Sequence, residues 1–246
     1  MAYLYNTIIF QPFYNGFVFL MHLFPFFDAG VIIIIFTIII KMIILPLSIK
    51  ASKAQIEMKS TEKDLQLIKE KYKDKNEQSK KTMEYYKEKG INPFAGIFVL
   101  LVQLPILIGL YQIFIKSGLP EIKKVLLYPF VSVTVLSAVI PNSMMFLGLV
   151  DISSKSIILA IIAGVTTYFQ ISHSTSGQAK STASGTQGDI AKAMAVQMKY
   201  FFPILMTFIA YTISSAVAIY FITSNLFAIV QEVYIRKKYH KDITVV

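Results

Sequence analysis

VIIIIFTIIIKMIILPLSI, residues 31–49, sets one ammonium in the middle of an otherwise apolar run. A stretch of this length and hydrophobicity reads as a helix that crosses a bilayer. Lys41 is its only charge. A charged side chain at the centre of such a helix costs about 2.5–3.5 kcal/mol on insertion scales. Lys50 lies about 13 Å further along the axis at ~1.5 Å per residue, so Lys41 is poorly placed to reach the interface. Thr37, one turn before it, and Ser48, two turns after it, fall on the same helical face. The first span thus carries a polar stripe that needs water or a polar partner.

Outward from this stretch, the chain divides into apolar and charged segments. Residues 1–29 are apolar and aromatic but interrupted by Asn6, Gln11-Pro12, Asn15-Gly16, His22 and Pro25, which suits a helix lying in the interface better than a span. Residues 50–92 are rich in Lys, Glu, Gln and Asp. Met58, Leu65 and Tyr72 recur at heptad spacing with Ile68 on the same stripe, Asp74-Lys75-Asn76 fits a turn, and Met83 and Tyr86 can face back: a helical hairpin in solvent. Gly90 suits its C-terminus, with Asn92 and Pro93 opening the next helix.

The second span is expected at residues 93–116 and the third at 156–172. Between them, residues 117–155 begin polar and then turn uncharged, broken by Pro129, Pro141 and Asn142; hydropathy alone leaves a further span here open. Residues 173–195 begin with a Ser/Thr/Gly/Gln-rich loop, with Asp189 placed to cap the helix that follows. The last apolar stretch would make an uncharged core of roughly 46 Å as one helix, against a hydrocarbon layer of ~30 Å. Two helices turning at Ser214-Ser215, residues 196–213 and 214–235, fit better. A short tail, 236–246, follows.

Composition supports the same fold class. The chain of 246 residues is 55% hydrophobic and 15% charged, with net charge +10; soluble domains sit nearer 45–50% apolar and about 25% charged. The charge is clustered. The first 29 residues hold no Lys or Arg, whereas 50–89 and 236–241 are dense in them. The positive-inside rule produces that asymmetry, and the basic segments suit anionic lipid rather than sequence-specific nucleic-acid binding. By parity, five spans put the charged hairpin, the 173–195 loop and the tail in the cytoplasm and the N-terminus outside. The expectation is an all-α polytopic membrane protein: five core transmembrane helices, an N-terminal interfacial helix and a cytoplasmic helical hairpin. The N-terminal residues lack the pattern of a cleaved secretory signal or an Arg-rich transit peptide. With no cysteine there is no disulfide or thiolate site.

Nothing points to catalysis. His22, His173 and His240 are isolated, and neither a phosphate-binding glycine loop nor a nucleophile–base set appears. The expectation is a protein that is not an enzyme, with no cofactor and no metal. What the spans do carry is polar stripes: Gln103 beside Pro105 in the second; Thr166, Gln170 and His173 in the third; Tyr220, Ser224 and Gln231, with Asn225 nearby, in the last. Each alone suits helix–helix hydrogen bonding. Together with Lys41, which has no acidic residue in a span interior to pair with, they suggest a hydrated cavity.

The stretches TIIIKMIILPLSIKASKAQIEM (37–58), YKEKGINPFAGIFVLLVQLPILIGLYQIF (86–114), FLGLVDISSKSIILAIIAGVTTYFQ (146–170) and MKYFFPILMTFIAYTISSAVAIYFITSNLFAIVQEVYI (198–235) resemble, in order, the core of the YidC/Oxa family of membrane protein insertases. The resemblance implies five core helices around a hydrophilic groove open to cytoplasm and lipid but closed externally, and it makes residues 125–150 mainly external. It puts the groove's basic residue at Lys41, its polar third-helix position at Gln170 and its last-helix aromatic at Phe221. The family usually has Arg where this chain has Lys41, which loses the planar five-donor fork, and often Trp where it has Phe221. A large external domain and a long basic tail, present in some members, are not expected, so the hairpin is the candidate contact for targeting factors.

The resulting expectation is insertion of nascent membrane-protein segments at a bacterial plasma membrane through a groove lined by Thr37, Lys41, Gln103, Gln170, Tyr220, Phe221, Ser224 and Asn225. Substrate proteins and the bilayer are the implied partners, with the Sec translocon, the signal recognition particle system and the ribosome as further candidates. The rival expectations are an assembly factor acting only with a Sec translocon and a secondary transporter of an anionic solute.

Overall fold

The computed structural model describes residues 2–92, 95–116, 122–136, 143–174 and 186–243. Over these the chain is mostly helical: α1 (Ala2–Tyr5), a π-helical turn (Asn6–Phe10), α2 (Gln11–Leu23), α3 (Ala29–Ser60), α4 (Glu62–Lys71), α5 (Lys75–Glu88), α6 (Ala95–Tyr111), a second π-helical turn (Gln112–Lys116), α7 (Pro129–Leu136), α8 (Ile157–His173), α9 (Thr186–Ile213) and α10 (Ser215–Ile243). A small antiparallel ribbon pairs β1 (Met145–Phe146) with β2 (Val150–Asp151). Among the described residues, two helices are long and apolar enough to cross a membrane, at Ala29–Met58 and Ser215–Lys238; Gln103–Phe114, Ile157–His173 and Lys199–Ile213 are shorter apolar helices. Pro46, Pro105 and Pro203 sit inside α3, α6 and α9, each withdrawing one backbone donor from the helical ladder.

The chain forms two compact units. The first comprises Met1–Ile43, Val102–Thr167 and Pro203–Phe227. Its core starts with α2, whose Tyr14, Phe17, Val18 and Met21 are buried. Phe17 meets Phe36 of α3 and Phe114 after α6 edge-to-face, with ring centroids 5.8 and 5.2 Å apart. Gly109 lets α6 approach α2: a Cβ there would lie 2.9 Å from the Phe13 ring. Asn15 is 2% exposed, and its amide is fully used. It donates to the carbonyls of Gln11 and Leu126 at 2.8 and 2.9 Å and accepts from the Tyr128 amide at 2.6 Å, which fixes the 122–136 segment on α2.

Asp28 opens α3. One carboxylate oxygen accepts from the Val31 amide at 2.9 Å, an N-cap, and the other from the Leu147 amide at 3.1 Å. That second bond holds Leu147 at φ 50°, beside Gly148 at φ 71°, in the turn of the ribbon. The same loop caps α10: the amides of Ser215 and Ala216 donate to the carbonyls of Ser154 and Ile152 at 2.8 and 2.9 Å.

Both α9 and α10 reach the same level of α8. A Cβ at Gly164 would strike Thr207 of α9, and Asn225 of α10 bonds Thr167 at 2.8 Å. On one straight helix Thr207 and Asn225 would be about 27 Å apart at ~1.5 Å per residue. The chain therefore doubles back at Ser214, and the orphan amides of the new helix are taken up by the loop just described. The first unit also exposes a broad apolar surface, including Met42, Ile43, Leu104, Ile158, Ile161, Ile204 and Phe208. Helices that are apolar on their outer faces belong in lipid.

The second unit comprises Ile44–Leu101, Tyr168–Phe202 and Ala228–Val246. Here α4 and α5 touch, and the Tyr85 hydroxyl donates to the Asp64 carboxylate. Asp74 caps α5 by accepting from the Glu77 amide at 3.2 Å. The helix ends in a Schellman motif: Gly90, at φ 68°, donates to Lys87 at 3.2 Å and Ile91 to Tyr86 at 2.9 Å.

One expectation needs correcting. Asp189 falls inside α9, which already begins at Thr186, so it does not cap that helix. The expected helix opening at Pro93, residues 137–142 of the external segment, residues 175–185 of the Ser/Thr/Gly-rich loop and the last three residues lie outside the described residues.

Candidate functional site

Polar side chains from three helices of the first unit, α3, α6 and α10, meet in one network. Helix α3 is apolar around Lys41, so the ammonium has to find its partners on neighbouring helices. Lys41 Nζ donates to Gln103 Oε1 of α6 at 3.2 Å. Gln103 Nε2 in turn donates to the Tyr220 hydroxyl of α10. Ser224, one turn further along α10, also hydrogen-bonds that hydroxyl.

Ammonium chemistry fixes the order of this chain. An ammonium has three donors and no acceptor, so the amide must turn its oxygen to Lys41 and its NH2 to Tyr220. Tyr220 is 1% exposed and Ser224 5%, whereas Lys41 and Gln103 are half-buried. The network is anchored in the core at Tyr220 and reaches a more open surface at Lys41. Among the described residues no carboxylate lies within ion-pair distance of Lys41; the ion pairs found are Lys81–Glu84 and Arg236–Glu232.

The four other residues singled out by sequence are each placed differently. Thr37 is buried, and its hydroxyl returns to the Ile33 carbonyl of its own helix at 2.7 Å. Phe221 is 6% exposed and tilts against the Tyr220 ring, centroids 5.5 Å apart. Asn225 faces α8, donating to Thr167 at 2.8 Å and Thr166 at 3.2 Å. It joins α10 to α8. Gln170 belongs to the second unit and is half-buried there.

Sequence reasoning passed over Thr167, the buried partner of Asn225. The adjacent Thr166-Thr167 pair offered a clue, since either hydroxyl can face a neighbouring helix. It also passed over the tie at the end of α8. In the second unit Arg236 pairs with Glu232 at 3.2 Å and donates to the His173 carbonyl, a cation at the negative end of a helix. The Glu232/Arg236 spacing of four residues was its visible signal. Ser48, expected to extend the Lys41 stripe, is bonded within the second unit to Gln231 at 2.6 Å.

Comparison with known proteins places these features in a family. The model of the family described as 60Kd inner membrane protein matches residues 19–242. A protein of Fusobacterium nucleatum subsp. nucleatum named membrane protein insertase YidC is 33% identical over 86% of this chain and 87% of its own length. One of the same name from Clostridium tetani is 33% identical, covering 87% and 84%. The membrane protein insertase MisCA of Bacillus subtilis is 30% identical, covering 83% and 69%. With the match running through α3, α6, α8, α9 and α10, the chain belongs to the 60Kd inner membrane protein family, the YidC/Oxa group of membrane protein insertases.

Proposed function

We propose that this chain moves short hydrophilic segments of nascent membrane proteins into the bilayer through a polar groove centred on Lys41. In this account five core helices cross the membrane, at residues 30–49, 93–116, 156–172, 196–213 and 214–235. The N-terminus and residues 117–155 lie outside; the hairpin of residues 50–92, the 173–195 loop and the 236–246 tail lie in the cytoplasm. Lys41, Gln103, Tyr220, Phe221 and Ser224 line the groove.

The mechanism needs no energy-consuming site. A hydrophilic segment enters from the cytoplasm. Lys41 and its polar neighbours, with the water they hold, lower the barrier for backbone amides and acidic side chains. The adjoining hydrophobic segment then leaves sideways into lipid, where burial of ~20 apolar residues supplies the driving force. The charged hairpin captures the substrate or rests on anionic lipid. It is also the natural contact for a Sec translocon, a signal recognition particle receptor or a ribosome.

The observation that carries this proposal is a span-centre ammonium whose partner is a neutral amide on the next helix. A merely structural lysine would be expected to end on a carboxylate or a run of carbonyls. The test is reconstitution: purified protein in liposomes with a newly synthesised single-span substrate, scored by protease protection of its external segment. Protection well above empty liposomes supports independent insertion. Protection no higher than empty liposomes, with folding verified, leaves an assembly role that depends on a Sec translocon.

A further inference from the structure

We propose that Gln103 is the positioning residue that sets the charge selectivity of the groove: a neutral acceptor that holds the Lys41 ammonium in place without cancelling its charge. The inference rests on the insertase proposal above and names what the same site selects.

The geometry supplies two requirements. Lys41 must be held, because a flexible four-carbon stem would otherwise spread its charge over many positions. It must also stay uncompensated if it is to attract anything. Gln103 meets both. Its oxygen takes one ammonium donor at 3.2 Å. Its nitrogen is tied to the buried Tyr220 hydroxyl, so the amide cannot rotate without facing NH2 towards an ammonium. Two ammonium donors remain for a visiting group.

The choice of an amide is specific to this position. Elsewhere among the described residues some cations meet acids, Arg236 with Glu232 and Lys81 with Glu84. Around the network the chain carries none, with no Asp or Glu in residues 29–56, 94–116 or 215–231. A glutamate in place of Gln103 would be nearly isosteric and would form a permanent ion pair. The groups that exploit the amide's neutrality are the carboxylates of Asp and Glu in a segment under transit, which meet Lys41 as a third, temporary partner.

The experiment uses the full chain in liposomes with two single-span substrates. One has acidic residues in its translocated segment, and its twin has Asn and Gln at those positions. The readout is the ratio of acidic to neutral substrate inserted, which a purely structural role for Gln103 does not move. Gln103→Glu is expected to lower this ratio about fivefold or more, the factor one carboxylate at contact distance commands even in water-like surroundings, while the neutral twin still inserts. Gln103→Met, which keeps the charge on Lys41 but loses its tether, is expected to lower the ratio only in part, by about twofold, because the charge is spread and not cancelled. Lys41→Gln is expected to collapse the ratio. An unchanged ratio in Gln103→Glu with the neutral twin inserting overturns the inference. So does a collapsed ratio in Gln103→Met. Should Gln103→Glu insert neither substrate, the contrast between Gln103→Met and Lys41→Gln decides by the same rule. Wild type that inserts neither substrate defeats the insertase proposal itself, a separate result.

Discussion

At the scale of single residues, the network Lys41–Gln103–Tyr220–Ser224 shows how a costly charge is accommodated inside an apolar helix. Each polar atom hands the problem to a neighbour until it reaches a buried hydroxyl. Tyr220→Phe tests the chain at its anchored end. It removes the acceptor of the Gln103 amide and leaves a partly buried N–H unmatched, a cost of about 1–3 kcal/mol. At about 2–4 °C per kcal/mol for a chain of this size, the melting temperature in detergent is expected to fall by several degrees, and insertion to fall with it. A variant that melts at or above wild type would mean the Gln103–Tyr220 bond contributes nothing. Lys41 was visible in sequence because a lone charge in a long apolar run has few explanations. Its partner was not. Gln103 could be named as a polar residue in the second span, but only the packing of α6 between α3 and α10 brings it to the ammonium.

At the scale of elements, close approach and capping decide which helices touch. Gly164 is the tightest point: any side chain there enters the space of Thr207 on α9. Gly164→Val is expected to cost about 1–3 kcal/mol through overpacking, seen as a lower melting temperature, whereas Gly164→Val paired with Thr207→Ala should recover part of the loss. Absence of any recovery would show that the strain lies elsewhere. Helical periodicity put Thr166, Gln170 and His173 on one face of α8, yet the crossing geometry gives Thr167, which lies off that stripe, to Asn225 together with Thr166. Spacing along one helix says which residues share a face, not what that face meets. Tyr85 marks the contact between α4 and α5. Its hydrogen bond to Asp64, aided by some burial and by the carboxylate's charge, pushes its pKa up from 10.0 to about 12. The protonated phenol is the bonding form, so the contact is intact below pH 10 and is lost as pH rises through about 12. A phenolate absorbance titration of wild type minus Tyr85→Phe is expected to show one tyrosine ionising late. A difference midpoint near the ordinary value would remove the Tyr85–Asp64 bond from the account.

At the scale of the whole molecule, the helical membrane character was legible from composition, span lengths and the clustering of lysine. Those are bulk properties, fixed by the solvent the chain must face. Partner choice within the membrane was not, because lipid-facing and protein-facing apolar residues look alike in sequence. Ile43 is 71% exposed and Ile33 fully buried, yet both are isoleucines of one helix. Orientation is testable directly because the chain has no cysteine. A single cysteine at Lys123 is expected to react with an impermeant thiol reagent from outside intact cells, and one at Lys80 only after the membrane is opened. The opposite pattern would invert the proposed topology. The central claim is that an uncompensated ammonium in the groove drives insertion, and reconstituted insertion of an acidic-tailed substrate by Lys41 variants tests it most directly. The account predicts that Lys41→Leu loses at least about tenfold of the wild-type rate, a barrier increase of ~1.4 kcal/mol, while Lys41→Arg, which keeps the charge, stays close to wild type. Equal insertion by wild type and a correctly folded Lys41→Leu would contradict it.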